Sequence, residues 1–169
     1  MAEGSRHHTH GSHALGFAVL TTTDSRTEKE DETGRTIVAL VEAGGHHVLR
    51  EGLCPNVVSE VQRSVRECLE TPGVQVVVTS GGTGVGPKDV TIEALEGLGG
   101  RKVAGFGERF RALSFAQVGP LAMLSRSELF LVGRHPVFAL PGSTRACQLA
   151  VGELILPFVQ HLVEELERR

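Results

Sequence analysis

The stretch Val74-Gln75-Val76-Val77-Val78-Thr79-Ser80-Gly81-Gly82-Thr83-Gly84 decides how the chain is read. Its first six residues are β-branched and apolar at nearly every position, as in the central strand of a parallel sheet covered on both faces. The five that follow are polar and glycine-rich and mark a sharp turn at the strand's carboxyl end. In open α/β sheets, ligands bind beyond the carboxyl ends of the strands. The turn is therefore the first candidate site.

Upstream, Leu15–Leu20 reads as a buried strand and Thr21–Asp31 as a polar loop. A helix follows with Ile37, Leu40 and Val41 on one face and Gly44-Gly45 as its stop. His46–Leu49 reads as a second strand, with one of His46 and His47 facing solvent and the pair structural rather than ligating. Val58, Val61, Val65 and Cys68/Leu69 recur at helical spacing, and Ser59-x-x-Gln62 has the form of a capping box.

Downstream, a helix is expected over Thr91–Leu98, stopped by Gly99-Gly100, and a short one over Phe106–Leu113. Leu121–Leu124, Leu129–Val132 and Val137–Leu140 read as strands, the last two joined as a hairpin by Gly133-Arg134. Pro141-Gly142-Ser143 opens a long helix with the apolar stripe Cys147, Val151, Leu154/Ile155, Phe158, Leu162 and Leu166, which Pro157 should kink. The alternation of strands and helices argues for three α/β/α layers: a mostly parallel central sheet plus a β-hairpin, with helices on both faces. Residues 14–169 read as one domain. Residues 1–13 read as a polar tail whose His7, His8, His10 and His13 belong to a solvated or tag-like segment rather than a metal site.

Composition narrows the function. The 169 residues carry a net charge of −3, with Phe as the only aromatic type besides His, so neither a nucleic-acid backbone nor stacked bases make a natural partner. Cys54, Cys68 and Cys147 are odd in number and widely spaced, which disfavours a disulfide framework or zinc knuckle and fits a reducing, cytoplasmic compartment. No apolar run reads as a membrane span and no signal core is present.

Three features hold potential chemistry. In Ser80-Gly81-Gly82-Thr83-Gly84, glycines allow backbone N–H groups to approach an anion and the Ser80 and Thr83 hydroxyls add donors, although a plain tight turn would have the same composition. The loop lacks both the Gly-Lys-Ser/Thr ending of a Walker loop and GxGxxG spacing. In Pro141-Gly142-Ser143, Ser143 is a natural N-cap at a helix start suited to anions, although a helix that is simply well capped would read the same. Between these lies Lys88-Asp89-Val90-Thr91, where Asp89 or Thr91 caps a helix or Asp89 holds Mg²⁺ between anions, with Lys88 either offsetting charge or simply exposed. There is no GxSxG, no CxxC and no His beside a nucleophile, which disfavours a hydrolase or thiol redox domain.

Thr79-Ser-Gly-Gly-Thr-Gly-Val-Gly-Pro-Lys-Asp-Val-Thr-Ile-Glu-Ala-Leu95 resembles the signature of the MoaB/Mog family of molybdopterin-handling proteins. Thr23-Asp-Ser-Arg26, Gly105-Phe-Gly-Glu-Arg-Phe-Arg-Ala-Leu-Ser114, Leu124-Ser-Arg126 and Ala139-Leu-Pro-Gly-Ser-Thr-Arg-Ala-Cys147 are similar to its other blocks, in order. The resemblance spans about Ala14 to Leu166 and lies closer to the MoaB branch than to the Mog adenylyltransferases. It implies a three-layer α/β domain, homo-oligomers (trimer or hexamer) and molybdopterin as ligand. In the Mog branch it further implies adenylate transfer from Mg-ATP to the pterin's terminal phosphate. Carried over by motif, Ser80, Gly81, Gly82, Thr83, Gly84, Lys88, Asp89, Thr91, Pro141, Gly142 and Ser143 line the site, with Asp24, Ser25 and Asn56 as additional candidates and Asp89 as catalytic and metal residue. Asn56 departs from the pattern. Family members that adenylylate usually carry Asp after the Pro of the segment matching Cys54-Pro55-Asn56, and an amide is neutral and cannot act as a base. Two readings follow: an adenylyltransferase, or a non-catalytic molybdopterin carrier of the same fold. Asn56 as a cap for the next helix is the structural alternative.

Overall fold

The computed structural model describes residues 13–168; His7, His8 and His10 lie outside them, and His13 is exposed. Six strands form one mixed sheet: β1 (Gly16–Thr22), β2 (His47–Cys54), β3 (Val74–Ser80), β4 (Arg101–Lys102), β5 (Glu128–Val132) and β6 (His135–Leu140). Their order is β2-β1-β3-β6-β5-β4. The first four in that order run parallel, while β5 pairs antiparallel with both β6 and β4. β3 lies between β1 and β6 and is buried at every position except Gln75. The expected parallel sheet and hairpin are both present.

Alternation along the strands splits the core in two. Val19, Val76, Val78 and Phe138 face one layer of helices: α1 (Glu32–Ala43), α4 (Ala104–Val118), and α5 (Thr144–Leu149) with α6 (Leu156–Glu167). Ala18, Val77, Val137 and Ala139 face α2 (Val58–Glu70) and α3 (Thr91–Gly97) on the other side. His46 is buried, its Nδ1 accepting from the Leu15 amide at 3.2 Å, while His47 is exposed. The histidine pair is thus structural at its buried member.

Several local expectations are corrected. Leu121–Leu124 is not a strand but part of a 3₁₀ helix over Gly119–Leu124, seeded by Pro120 in its first turn. Leu121, Met123 and Leu124 are exposed, so no sheet face holds them. Ser59 lies inside α2, whose N-cap Val57 makes no side-chain bond; Gln62 instead donates to the Ala94 carbonyl across to α3. The helix expected over Phe106–Leu113 runs from Ala104 to Val118, and β2 continues to Cys54.

The C-terminal helix runs Thr144–Glu167 and contains a π-helical stretch, Ala150–Ile155, just before Pro157. Cys147, Val151, Ile155 and Val159 are fully buried and recur in steps of four, with Ala150 buried beside them. An α-helix drifts by roughly 40° over four residues, and a wider turn takes up part of that drift. Pro157, which has no N–H, is accommodated there. By length and composition this 24-residue helix would suffice to cross a membrane, contrary to the sequence reading, but that buried stripe packs it against the sheet.

Candidate functional site

The four parallel strands end in register. Thr22 sits opposite Cys54, Thr21 opposite Ser80, and Ser80 opposite Leu140. The segments leaving them therefore meet at one edge of the sheet, around a cleft of about 650 Å³. Its walls are the Thr22–Arg26 loop and Asn56 on one side, Gly81–Gly84 with Lys88 and Asp89 in the centre, and Pro141–Ser143 with Leu124 and Ser125 on the others. A second cavity, about 250 Å³, lies beside it between α1 and β2 and is lined by Asp31, Arg35 and Glu51 rather than by the glycine loop.

The glycine loop is built for close approach. Gly81 and Gly82 have φ of 92° and 66°, which side-chain-bearing residues rarely adopt. A Cβ on Gly81 would stand 2.3 Å from the Thr22 carbonyl oxygen, and one on Gly82 would stand 2.3 Å from Thr91 Oγ1. Successive turn residues of this kind form a concave set of N–H groups suited to anions. Among the described residues, the N–H groups of Gly82, Thr83 and Gly84 have no hydrogen-bond acceptor.

Two expected site residues lie beneath this surface. Ser80 is fully buried, its hydroxyl 3.2 Å from Thr21 Oγ1. Thr91 donates through Oγ1 to the Gly81 carbonyl at 2.9 Å, and its amide donates to the Gly82 carbonyl at 3.0 Å. Both shape the loop from below, and Thr91 opens α3 without capping it. Thr83 is buried at the cleft floor.

The second turn adjoins the first: a Cβ on Gly142 would stand 3.5 Å from Gly81 Cα. Ser143 is the N-cap of α5 and accepts from the Ala146 amide, as expected. Thr33 at the start of α1 donates to the Gly142 carbonyl at 3.2 Å and lies 2.9 Å from Thr144 Oγ1, tying two helix starts together. Cys147 lies under this turn, its thiol pointing to the Pro141 carbonyl; burial pushes it up to about 12, so it is inert as a nucleophile.

Around the rim, Asp89 Oδ2 accepts from the Gly86 amide at 2.8 Å, so the carboxylate folds back across its own loop rather than capping α3. Lys88 is exposed at the mouth. Asp24 accepts from the Asn56 amide at 2.8 Å and joins two walls; Ser25 is exposed beside it. Asn56 does not cap α2: its backbone is held by Asp24, and its Oδ1 is buried with no hydrogen-bond partner. That orphaned oxygen would be 2.9 Å from a Cβ on Gly82. No cluster of three or more His, Cys, Asp or Glu forms among the described residues.

The comparisons meet this geometry. Residues 18–161 match the model of a probable molybdopterin binding domain. The molybdenum cofactor biosynthesis protein B of Bacillus cereus is 39% identical over 152 residues, covering 89% of this chain and 90% of that one. The chain belongs to the MoaB/Mog family. Its biosynthetic setting is therefore that of the molybdenum cofactor. The protein B of Bacillus subtilis is 35% identical over 151 residues, with 89% of each chain covered. A crystal structure of a molybdenum cofactor biosynthesis protein B superposes with a TM-score of 0.89 at 37% identity, covering 93% of this chain and 98% of that one. The tungsten cofactor synthesizing protein MoaB of Pyrococcus furiosus gives 0.84 at 31% identity over 92% and 98%.

Against the family's motif positions, the structure gathers Gly81–Gly84, Lys88, Asp89, Pro141–Ser143, Asp24, Ser25 and Asn56 on one cleft. Sequence reasoning did not single out Arg26, which lines the cleft and whose guanidinium donates to Thr33 Oγ1 at 3.3 Å and lies 4.0 Å from the Asp31 carboxylate. It also did not single out Arg126, which holds the Asp89 loop from behind. Both stand within motifs of the family, but nothing local in the sequence marks what they touch.

Proposed function

We propose that the cleft at the strand ends binds molybdopterin by its phosphate and that the chain transfers adenylate from Mg-ATP to that phosphate. The observation that carries this reading is the pairing of two strand-to-helix turns, Gly81–Gly84 and Pro141–Ser143, in contact across one cleft, the first with amides that lack acceptors. In the reaction, an oxygen of the pterin phosphate attacks the α-phosphorus of ATP. The new P–O–P bond replaces the α–β bridge, and pyrophosphate leaves. A phosphate monoester has its second pKa near about 6 and is mostly dianionic at neutral pH, so the nucleophile needs little help from a base. The site's task is alignment and charge neutralisation. The Gly82–Gly84 amides suit one phosphate and the Ser143 turn another, while Lys88 and Arg26 supply positive charge at the rim.

Magnesium fits the donor set. Asp89 and Asn56 both line the cleft, and the hard oxygens of the Asp89 carboxylate and the unpartnered Asn56 Oδ1 would hold it. When bound, it would offset the negative charge of the triphosphate. Asn56 also favours a second reading, that of a molybdopterin carrier without chemistry, because the carboxylate of adenylylating relatives is replaced by a neutral amide. Purified protein mixed with molybdopterin and Mg-ATP separates the two. Adenylylated pterin is the product expected of the enzyme; pterin binding with no ATP-dependent product supports the carrier.

We further propose that residues 14–169 act as one unit and that it works as a homo-oligomer, trimer or hexamer. Phe115, Val118, Leu121 and Met123 form exposed apolar surface along the end of α4 and the 3₁₀ helix, next to the cleft residue Leu124. Light scattering at micromolar concentration should give three or six times the monomer mass, and a monomer would refute it. A cytoplasmic setting accords with three cysteines that are all free and buried.

A further inference from the structure

Arg126 follows the 3₁₀ helix, and its side chain reaches across 37 to 42 positions of sequence to the loop that carries Asp89. Its backbone amide donates to the Thr83 carbonyl at 2.9 Å. Its Nε donates to the Gly84 carbonyl at 2.7 Å and its Nη2 to the Asp89 carbonyl at 2.8 Å. Nη1 pairs with Glu93 of α3. One residue therefore fixes three carbonyls, at both ends of a loop whose middle, Val85 to Lys88, is exposed.

Across a trans peptide, C=O and the following N–H point in opposite directions. Holding the carbonyls of Thr83 and Gly84 toward Arg126 thus turns the N–H groups of Gly84 and Val85 away from it. Gly84 also lines the cleft, whereas Arg126 lies outside it. The same bonds keep carbonyl oxygens, which repel anions, out of the phosphate's reach. The guanidinium is not itself a phosphate ligand: its donors go to protein oxygens, and Glu93 offsets its charge. That pairing holds the Glu93 carboxyl below the usual carboxylate range.

We propose that Arg126 is a positioning residue, which sets the peptide orientations of the Thr83–Asp89 loop so that its amides and Asp89 are presented to a phosphorylated ligand. This rests on the reading of the cleft as a phosphate site. Lysine at this position would keep the charge but lose the planar fork that reaches two carbonyls at once.

The test uses the full chain with inorganic pyrophosphate as probe, titrated calorimetrically in the presence of Mg²⁺, for wild type, Arg126→Lys, Arg126→Ala and Glu93→Gln. Loss of two charge-assisted bonds to the loop is expected to weaken binding about tenfold in both Arg126 variants. Glu93→Gln, which leaves the carbonyl contacts in place, should bind like wild type. Free guanidinium ion at sub-denaturing concentration should restore affinity to Arg126→Ala, a readout that a loss of general stability would not give; failure of that rescue would contradict the positioning role. Wild-type affinity in Arg126→Lys would overturn the proposal while leaving the cleft reading intact. No pyrophosphate binding by wild type would overturn both.

Discussion

The Asp89 carboxylate accepts a hydrogen bond from the amide of Gly86, at 2.8 Å, and is thereby held over the loop that follows the central strand. Charge and structure can be separated at this residue. Asparagine keeps an oxygen able to accept from Gly86 but removes the charge. Asp89→Asn is expected to melt close to wild type while product formation from molybdopterin and Mg-ATP falls by on the order of 100-fold, the scale for losing one well-placed electrostatic group. Undiminished activity would remove Asp89 from the catalytic assignment.

Asn56 offers the reverse change. Its buried Oδ1 has no partner, so a carboxylate placed there would acquire its role from a cation or ligand donor in the cleft. Asn56→Asp should raise turnover and lower the Mg²⁺ concentration needed for half-maximal rate. Unchanged kinetics would mean that this position does not limit the reaction.

Gly82 tests the shape of the loop. An alanine there must hold φ near +66° and place its Cβ against Thr91 Oγ1. The left-handed conformation alone costs roughly 1–2 kcal/mol. Gly82→Ala should lower the melting temperature and abolish pyrophosphate binding, whereas Gly105→Ala, which meets nothing within 4 Å, should leave binding unchanged.

His46 predicts a pH dependence of stability. Burial, with a smaller contribution from His47, lowers its pKa from the ordinary value near 6.5. The unfolded chain therefore takes up the proton more readily than the folded one. The contribution to stability is complete above about pH 6.5 and is lost as pH falls through the lower folded value. Melting temperature should decline below pH 6.5 in wild type, and the His46→Ala variant should show a shallower decline; equal slopes would contradict the assignment.

How far the sequence carried the fold depends on where each segment's information lies. The strand Val74–Ser80, the hairpin around Gly133-Arg134 and the helix after Ser143 were legible because burial on both faces, a turn dipeptide and a cap are local signals. Leu121–Leu124 misled because four apolar residues have too few positions to separate strand from helix, and their exposure is invisible in sequence. The far half of β2, Arg50-Glu51-Gly52, is polar because it is an edge strand with little burial. The π turn inside the last helix is announced by no residue of its own. At the site, glycines and Asp89 stood out by type and spacing. The depth of Ser80 and Thr91 and the reach of Arg126 did not, since each is fixed by a partner distant in sequence.

On the proposed function, the two turns at the sheet edge grip a phosphorylated pterin, and a crystal structure of the complex would locate the molybdopterin phosphate. The phosphate is predicted within about 3 Å of the Gly82–Gly84 amide nitrogens or of the Ser143 turn, with the pterin in the larger cleft. A phosphate bound elsewhere, such as the cavity between α1 and β2 beside Arg35, would contradict the account.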